Sequence, residues 1–318
     1  MHRHSLAAVL VLSATLLTRG ALGQDANIIM PVARVDSLLR HGTIKPAAAQ
    51  GSRFEGDRTE HALLVFDDST AFEVKWATSA PGGEAFNNQP RYEAAAYELQ
   101  RLYLDDRDLV VPPTVLRMIP ASVFATAKLR GEPTFDDTPS VLVALQYWTL
   151  DVTAENVFDT KRAERDSVYA RHLGDLNILT YLIRQRDSNK GNVLVSVDSA
   201  NPRLFAVDNG VAFESQPSNR GTDWQYMRVK RISAATAARL RAISDTTLTR
   251  ALGVIAQFER RGDEYVAAEP GANLDPDRGV RRNATTLQFG LTRSEIDGVK
   301  DRLRDLIERI DRGKVRTF

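Results

Sequence analysis

Two apolar stretches, each interrupted by a short polar turn, predict β-hairpins in this chain. The first has strands at residues 62–66 and 71–76 around the polar turn 67–70. The second has apolar runs at residues 192–197 and 204–207 around the turn-forming residues 198–202. Because the two strands of a hairpin lie side by side, the residues at its open end are expected to be neighbours.

Apolar residues three and four positions apart predict helices around these hairpins. The helix at residues 91–103 is also rich in Ala, Leu, Glu and Arg, which favour helix. Thr292 followed by Glu295 is a capping box that predicts the start of the last helix. Further predicted elements are an apolar-periodic piece at 28–39, strands at 114–119 and 140–147, an exposed helix or insertion at 155–170, and helices at 234–243 and 246–260.

Three polar side chains flank the second hairpin at a spacing that indicates chemistry. Asp187 precedes the hairpin, Asn192 opens it, and Asp208 follows it in the sequence Asp-Asn-Gly. The hairpin centre lies about midway between Asn192 and Asp208, so both are expected at its open end. An Asn oxygen and an Asp carboxylate placed together can share divalent cations that bridge nucleotide phosphates. Asp187 could orient the hydroxyl that attacks the phosphate.

Simpler explanations exist for two of these patterns. Asp187, Asn192 and Asp208 could be ordinary surface residues at the ends of a hairpin, because an Asp followed five residues later by an Asn is common by chance. Asp175 lies in a His-x-Gly-Asp stretch that also looks catalytic, but the residue five positions on is Thr180. Because apolar residues at helical spacing follow it, Asp175 is predicted to be the N-cap or a first-turn residue of the helix before Asp187.

A phosphoryl-transfer site of this type also needs a strand lysine and a helix carboxylate that holds it. Lys75 lies inside the second strand of the first hairpin. A lysine there is either a solubility device on an edge strand or a charge that faces a ligand. Glu93, in the first turn of the helix 91–103, either favours the helix dipole or pairs with Lys75. Glu98 is the alternative partner.

The order of these motifs resembles a known family. The strand with Lys75, the helix sequence Glu-Ala-Ala-Ala-Tyr-Glu-Leu from Glu93, the sequence Val-Pro-Pro at residues 111–113 and the Asp-Asn-Gly at Asp208 follow one another. This order is similar to that of the secretory-pathway kinase family of four-jointed and the Golgi casein kinase, over roughly residues 55–215. Phosphatidylinositol-kinase-like and HipA-like kinases share parts of it. The resemblance implies an α+β, two-lobed protein-kinase-like fold, with a small β-rich N-lobe and a mainly helical C-lobe.

The resemblance also implies a role for each matching residue. Lys75 would contact the phosphates of ATP, the phosphate donor, and Glu93 would hold Lys75 or a metal ion. Asp187 would be the catalytic Asp. Asp208 and Asn192 would bind Mg²⁺ or Mn²⁺. The acceptor would be a hydroxyl group of a protein, a sugar or a lipid, and the sequence does not choose among them.

The hinge between the two lobes is predicted at Gln146, Tyr147 and Trp148, where adenine would lie. Packing in the core explains Tyr147 and Trp148 equally well. The predicted division of the chain is a signal peptide at 1–23, a lead-in segment and linker at 24–50, the N-lobe at 51–146 and the C-lobe at 147–318.

The chain departs from the family pattern in three ways. Ser188 and Asn189 stand where the family has Arg and His, the family's cysteines are absent, and there is no glycine-rich Gly-x-Gly-x-x-Gly loop. The nearest candidate phosphate loop is residues 51–58, whose basic side chains would replace backbone donors. These departures keep a second function open, a kinase-fold protein that binds a nucleotide or another ligand with little or no turnover.

The N-terminus predicts export. A basic start at residues 1–4, an apolar run at 5–17 and small residues at 21–23 form a signal peptide, which is too short to span a membrane. No segment of the mature chain is long enough to do so, and we expect a secreted or periplasmic protein. Removing residues 1–23 removes two of 42 basic residues and none of 41 acidic ones. The nearly neutral balance does not suggest a nucleic-acid partner.

Overall fold

The computed structural model describes residues 25–50, 58–85, 88–127, 129 and 131–318. The predicted signal peptide and most of the candidate phosphate loop lie outside these residues. Within the described ranges, no helix is long and apolar enough to cross a membrane. The first lobe contains α1 (Val32–His41), β1 (Lys45–Gln50), β2 (Thr59–Val65), β3 (Ala71–Thr78), α2 (Pro90–Gln100), β4 (Thr114–Pro120), α3 (Ala121–Ala127) and β5 (Ser140–Tyr147).

The five strands of the first lobe form one antiparallel sheet in the order β1-β2-β3-β5-β4. The predicted hairpin is confirmed as β2 and β3, and residues 45–50, predicted as part of a linker, form the edge strand β1. Lys75 lies in β3, an interior strand, so it is not an edge-strand device. It pairs with Gln146 of β5, and paired residues of adjacent strands face the same side of a sheet.

In the second lobe, helices contain more residues than strands do. It contains β6 (Val152–Thr153), α4 (Thr160–Arg165), α5 (Ser167–Leu182), β7 (Val193–Ser196), β8 (Leu204–Ala206), β9 (Arg231–Ile232), α6 (Ala234–Arg241), α7 (Asp245–Gly253), β10 (Ala256–Arg261), β11 (Glu264–Ala268), β12 (Val280–Arg282), β13 (Thr286–Phe289), α8 (Arg293–Asp311) and β14 (Arg316–Thr317). The second hairpin is β7 and β8, and the capping box opens α8. The predicted α+β, two-lobed architecture is confirmed.

The helix predicted at residues 246–260 is wrong beyond Gly253. Gly253 is the last residue of α7, and β10 begins at Ala256. β10 belongs to a four-stranded sheet in the order β11-β10-β13-β12 that was not predicted. Its buried Phe258 packs against Phe289 of β13, so the pairing partner rather than local periodicity determines the strand.

This second sheet packs against the first lobe. The rings of Phe135 and Phe289 lie 6.4 Å apart between centroids. Tyr265 of β11 donates a hydrogen bond from its hydroxyl to Asp137 Oδ2 at 3.0 Å. The two lobes are therefore held together by the second sheet as well as by the hinge after β5.

The predicted placement of Asp175 at a helix start is wrong. The helix α5 begins eight residues earlier, at Ser167, where the Asp166 carboxylate accepts a hydrogen bond from the Tyr169 backbone N–H at 3.0 Å. Asp175 therefore lies inside the helix, 1% exposed, and accepts a hydrogen bond from Thr236 Oγ1 at 2.8 Å. Burial raises the pKa of its carboxyl to about 7.

We expect Asp175→Asn to change how stability depends on pH. The unfolded chain releases this proton near pH 4, whereas the folded chain holds it to about pH 7, so wild-type stability falls between those values. The variant keeps the bond from Thr236 without a charge. The stability of the variant relative to the wild type should therefore rise by on the order of 2–3 kcal/mol between pH 5 and pH 8.5. Urea titrations at both pH values measure this, and an unchanged difference would contradict it.

Candidate functional site

Three charged side chains from separate elements meet at one point between the lobes. Lys75 Nζ donates to Glu93 Oε1 at 2.6 Å and to Asp208 Oδ1 at 2.9 Å. The second oxygen of Glu93, Oε2, accepts from the Asn209 backbone N–H at 2.8 Å. Both Glu93 oxygens are thus occupied, and the site holds Glu93 as the partner of Lys75. The alternative, Glu98, is wrong because it pairs with two arginines elsewhere.

Burial and charge act against each other in this triad. Burial disfavours the Lys75 ammonium, but the adjacent Asp208 and Glu93 carboxylates outweigh it and raise the Lys75 pKa. Lys75 holds the pKa of Asp208 below its ordinary value, against the effect of burial. Burial raises the pKa of Glu93 more than Lys75 lowers it. Lys75 consequently stays protonated at neutral pH and is available as a fixed cation.

The Asp-Asn-Gly turn places Asp208 through an unusual backbone. Asp208 has φ +59°, in the left-handed region, which Asp and Asn tolerate better than most side chains. Its side chain remains 42% exposed, toward the cleft. Gly210 is required by close approach, because a Cβ there would lie 2.4 Å from Asn88 Oδ1. The Gly210 carbonyl accepts from the Gln89 N–H at 3.0 Å, which ties the turn to the start of α2.

Asn192 and Asp187 lie beside this turn, as the hairpin geometry predicted. Asn192 Nδ2 donates to the Asp187 carbonyl at 3.3 Å, and the Val207 N–H donates to the Asn192 carbonyl at 2.9 Å. Asp187 is 7% exposed, and its Oδ1 accepts from Ser218 Oγ at 3.1 Å. The carbonyl contact therefore links the Asp187 loop directly to the hairpin that carries Asn192.

A cavity of about 760 Å³ opens at the Lys75 triad. Five predicted site residues line it: Lys75, Gln146, Tyr147, Asn192 and Asp208. Asp187 and Glu93 are not among its lining residues, but Glu93 bonds to Lys75 and the Asp187 carbonyl bonds to Asn192, and both of these partners line it. The rest of its wall is Thr59, Trp148, Thr149, Leu150, Asp151, Val152, Gly191, Leu194, Val197 and Val207. The mixture of apolar residues and a few charged ones is typical of a small-molecule site.

The hinge residues divide their roles. Gln146 Nε2 donates to Thr114 Oγ1 at 2.9 Å, which fixes its amide at the cavity wall. The Tyr147 ring packs on Phe72 at 5.4 Å between centroids and belongs to the core. Trp148 is 42% exposed and stacks on His61 at 4.0 Å between ring centroids. Trp148 is therefore the aromatic residue of the hinge that presents a ring to solvent.

The oxygen atoms at the cavity suit a hard divalent cation. Asn192 donates through Nδ2, so its Oδ1 remains as an acceptor, and Asn192 and Asp208 both line the cavity. Two protein oxygens suit Mg²⁺, which typically takes one or two of them and completes its shell from phosphates and water. Among the described residues, no group of three or more His, Cys, Asp or Glu side chains is placed to hold a metal ion.

Two buried polar arrangements support the site and were not predicted. Gln100 at the end of α2 accepts from the Val110 and Val111 N–H groups and donates to the Val111 carbonyl, which holds the Val-Pro-Pro segment. Arg91, two residues before Glu93, forms a buried ion pair with Glu295 of α8. No local signal in the sequence separates these buried residues from exposed Gln, Arg and Glu.

Residues 51–57 of the candidate phosphate loop lie outside the described part of the chain. Arg58, its last residue, donates from Nη1 to the Ser79 carbonyl at 3.1 Å and does not line the cavity. Its guanidinium therefore supports the first sheet. The structure gives Arg58 no contact with Lys75 or Asp208.

The chain was compared with protein families, curated proteins and solved structures. No protein-family profile and no curated protein matches the chain. Among solved structures the chain is similar to hydra Fam20, whose structure was solved with sugar, at 15% sequence identity and a TM-score of 0.47, with 87% of each chain covered.

Proposed function

We propose that this chain is a metal-dependent phosphotransferase that moves the γ-phosphoryl group of ATP to a hydroxyl group. The observation that carries the proposal is the bonded triad of Lys75, Glu93 and Asp208 at the mouth of a cavity that Asn192 also lines. A fixed cation beside two oxygen donors for a metal is the arrangement that phosphoryl transfer requires.

Each residue has a distinct task in this proposal. Lys75 has three N–H donors, of which two bind carboxylates and the third is left for a phosphate oxygen. Asp208 and Asn192 hold Mg²⁺ or Mn²⁺, which when bound neutralises charge on the phosphates. Asp187 orients the acceptor hydroxyl and accepts its proton. The nucleotide base lies toward the hinge at Gln146 and Tyr147.

We expect Asp187→Asn to lower phosphoryl transfer by on the order of 10²-fold while ATP affinity stays within a few-fold. The Asn keeps the bond from Ser218 but cannot take the acceptor proton. Single-turnover transfer of labelled phosphate and calorimetric titration with ATP and Mg²⁺ measure the two quantities. Asp198→Asn, at the exposed tip of the same hairpin, is the matched control. If ATP affinity and the rate of phosphoryl transfer fell by the same factor, Asp187 would have no role in the chemical step.

A second candidate function is nucleotide binding with little or no turnover. The lack of a Gly-x-Gly-x-x-Gly sequence favours it, because a loop of that sequence normally covers the phosphates in kinases. Wild-type protein that binds ATP with Mg²⁺ and releases no phosphate would support this function. Wild-type protein that binds no nucleotide would exclude both functions.

We also propose that the protein acts after export, on a hydroxyl of a protein, sugar or lipid. The signal-peptide pattern at residues 1–23 supports this location. N-terminal sequencing of protein from the periplasm or culture medium should find a chain that begins at Gln24. Retention of the complete chain in the cytosol would contradict export.

A further inference from the structure

A second cavity, of about 250 Å³, carries an excess of positive charge. Four cationic residues line it: Arg228, Lys230, Arg231 and Arg316. The wall also contains apolar side chains from α4, α5 and the segment before α4, and one acid, Glu164. A cavity with four cations and one carboxylate has the composition of an anion site.

These four cations are not neutralised by the protein. None of them forms an ion pair in the described part of the chain, and Glu164 forms none there either. Arg231 and Arg316 are direct partners in the parallel pairing of β9 with β14, so two like charges stand side by side. Like charges held together by the backbone repel, and binding an anion between them relieves that repulsion.

The chain holds part of this cavity in a fixed shape. Asn177 of α5 is fully buried, and its Oδ1 accepts from the Arg228 N–H at 2.6 Å and the Val229 N–H at 3.0 Å. The Arg228 guanidinium lies over the rings of Phe158 and Trp224, at 4.0 and 4.6 Å from their centroids. A guanidinium stacked in this way keeps its edge donors free for a ligand.

The cavity is connected to the Asp187 loop through Trp224. The Trp224 N–H donates to Ser188 Oγ at 3.2 Å, and Ser188 directly follows Asp187. The Ser188 N–H in turn donates to the Gly221 carbonyl at 2.9 Å. The segment that carries Arg228 is therefore bonded to the loop that would receive the acceptor hydroxyl.

We infer that this cavity binds an anionic group, of the phosphate, sulfate or carboxylate class, carried by the hydroxyl acceptor. That the acceptor carries the anion rests on the proposed function, whereas the binding of an anion rests on the cavity alone. Arginine forks bind phosphate and carboxylate through paired hydrogen bonds, and the apolar part of the wall is left for the carbon skeleton. Lys230 and Arg316 are exposed and would attract the ligand at the entrance.

Arginine modification tests the anion site without nucleotide or turnover. The full chain is treated with phenylglyoxal, with and without inorganic phosphate, and adducts are located by mass spectrometry. We expect phosphate to slow modification of Arg228, Arg231 and Arg316 at least fivefold. Arg304, exposed on α8, is the internal control and should react at the same rate in both samples. Equal rates at the cavity arginines would overturn the inference.

A second arm separates an acceptor-borne anion from a free one. Glucose 6-phosphate should protect the same arginines at a concentration at least tenfold below that of inorganic phosphate, because its sugar can contact the apolar wall. Equal protection would overturn the assignment to an acceptor. The double variant Arg231→Gln with Arg316→Gln should lose the protection of Arg228. Since no ATP is present, a failure here is distinguishable from a failure of the proposed phosphotransferase function.

Discussion

Asp208→Asn is expected to lower ATP turnover by on the order of 10³-fold or more and to remove the Mg²⁺ dependence of ATP binding. Within the described part of the chain, Asp208 is the only residue with a carboxylate that both bonds to Lys75 and lines the cavity, and the variant loses that carboxylate. Asn is the appropriate replacement because it tolerates the left-handed backbone at φ +59°. The turn should therefore keep its shape while the charge is lost.

The control for this variant is Asp198→Asn. Asp198 is exposed at the turn of the β7–β8 hairpin and does not line the cavity. It should leave turnover and Mg²⁺ dependence within about twofold of wild type, as surface substitutions usually do. Calorimetric titration with ATP, with and without Mg²⁺, and phosphate release measure both variants. Similar losses in the two variants would show that the cavity binds nucleotide by general charge and not through Asp208.

Glu295→Gln is expected to destabilise the fold by about 3 kcal/mol, at the lower end of the usual cost of breaking a buried ion pair, because Arg91 then keeps only its longer ion pair with Glu84, at 3.5 Å. Glu295 is 5% exposed, and Arg91 Nη1 and Nη2 donate to its two oxygens at 2.6 and 2.9 Å. Gln can still close the capping box at Thr292, so the loss of stability reports the ion pair with Arg91 and not the helix cap. Urea denaturation followed by tryptophan fluorescence gives the free energy of unfolding.

Glu308→Gln is the matched control on the same helix. Glu308 pairs with Arg312 one turn on, and both side chains are more than half exposed. An exposed pair of this spacing contributes only about 0.3–0.5 kcal/mol, so the control should stay near wild type. If both variants lose the same small amount, the Arg91–Glu295 pair does not stabilise the fold as its burial implies.

The Arg91–Glu295 pair also matters for the site. Arg91 and Glu93 are on the same helix, α2, and Glu295 belongs to α8 at the other end of the chain. The contact fixes the start of α2 against the second lobe, and the ring of Tyr92 packs on Phe213 at 5.1 Å between centroids. Glu93 is thereby held at bonding distance from Lys75 by contacts with elements more than a hundred residues away.

Local patterns were sufficient where the residues that determine an element lie within it. The hairpin β2–β3, the strand β5 and the capping box of α8 all appear where alternation, turn residues and capping residues predicted them. Local patterns failed at residues 256–289, where each strand depends on a partner from another segment. The Asp175 prediction failed because Asp166, nine residues earlier, already caps α5.

Residue type and spacing indicated Asp187, Asn192 and Asp208, because a hairpin places the residues at its open end side by side. The same patterns offered Lys75 and Glu93 with alternatives, and the resemblance in motif order implied their roles. The contacts between distant segments show that Glu93 and not Glu98 pairs with Lys75, and that Lys75 lies in an interior strand. They also show the ion pair between Arg91 and Glu295. Pairing between distant segments and burial of charge depend on how the whole chain packs, and a short stretch of sequence does not contain that information.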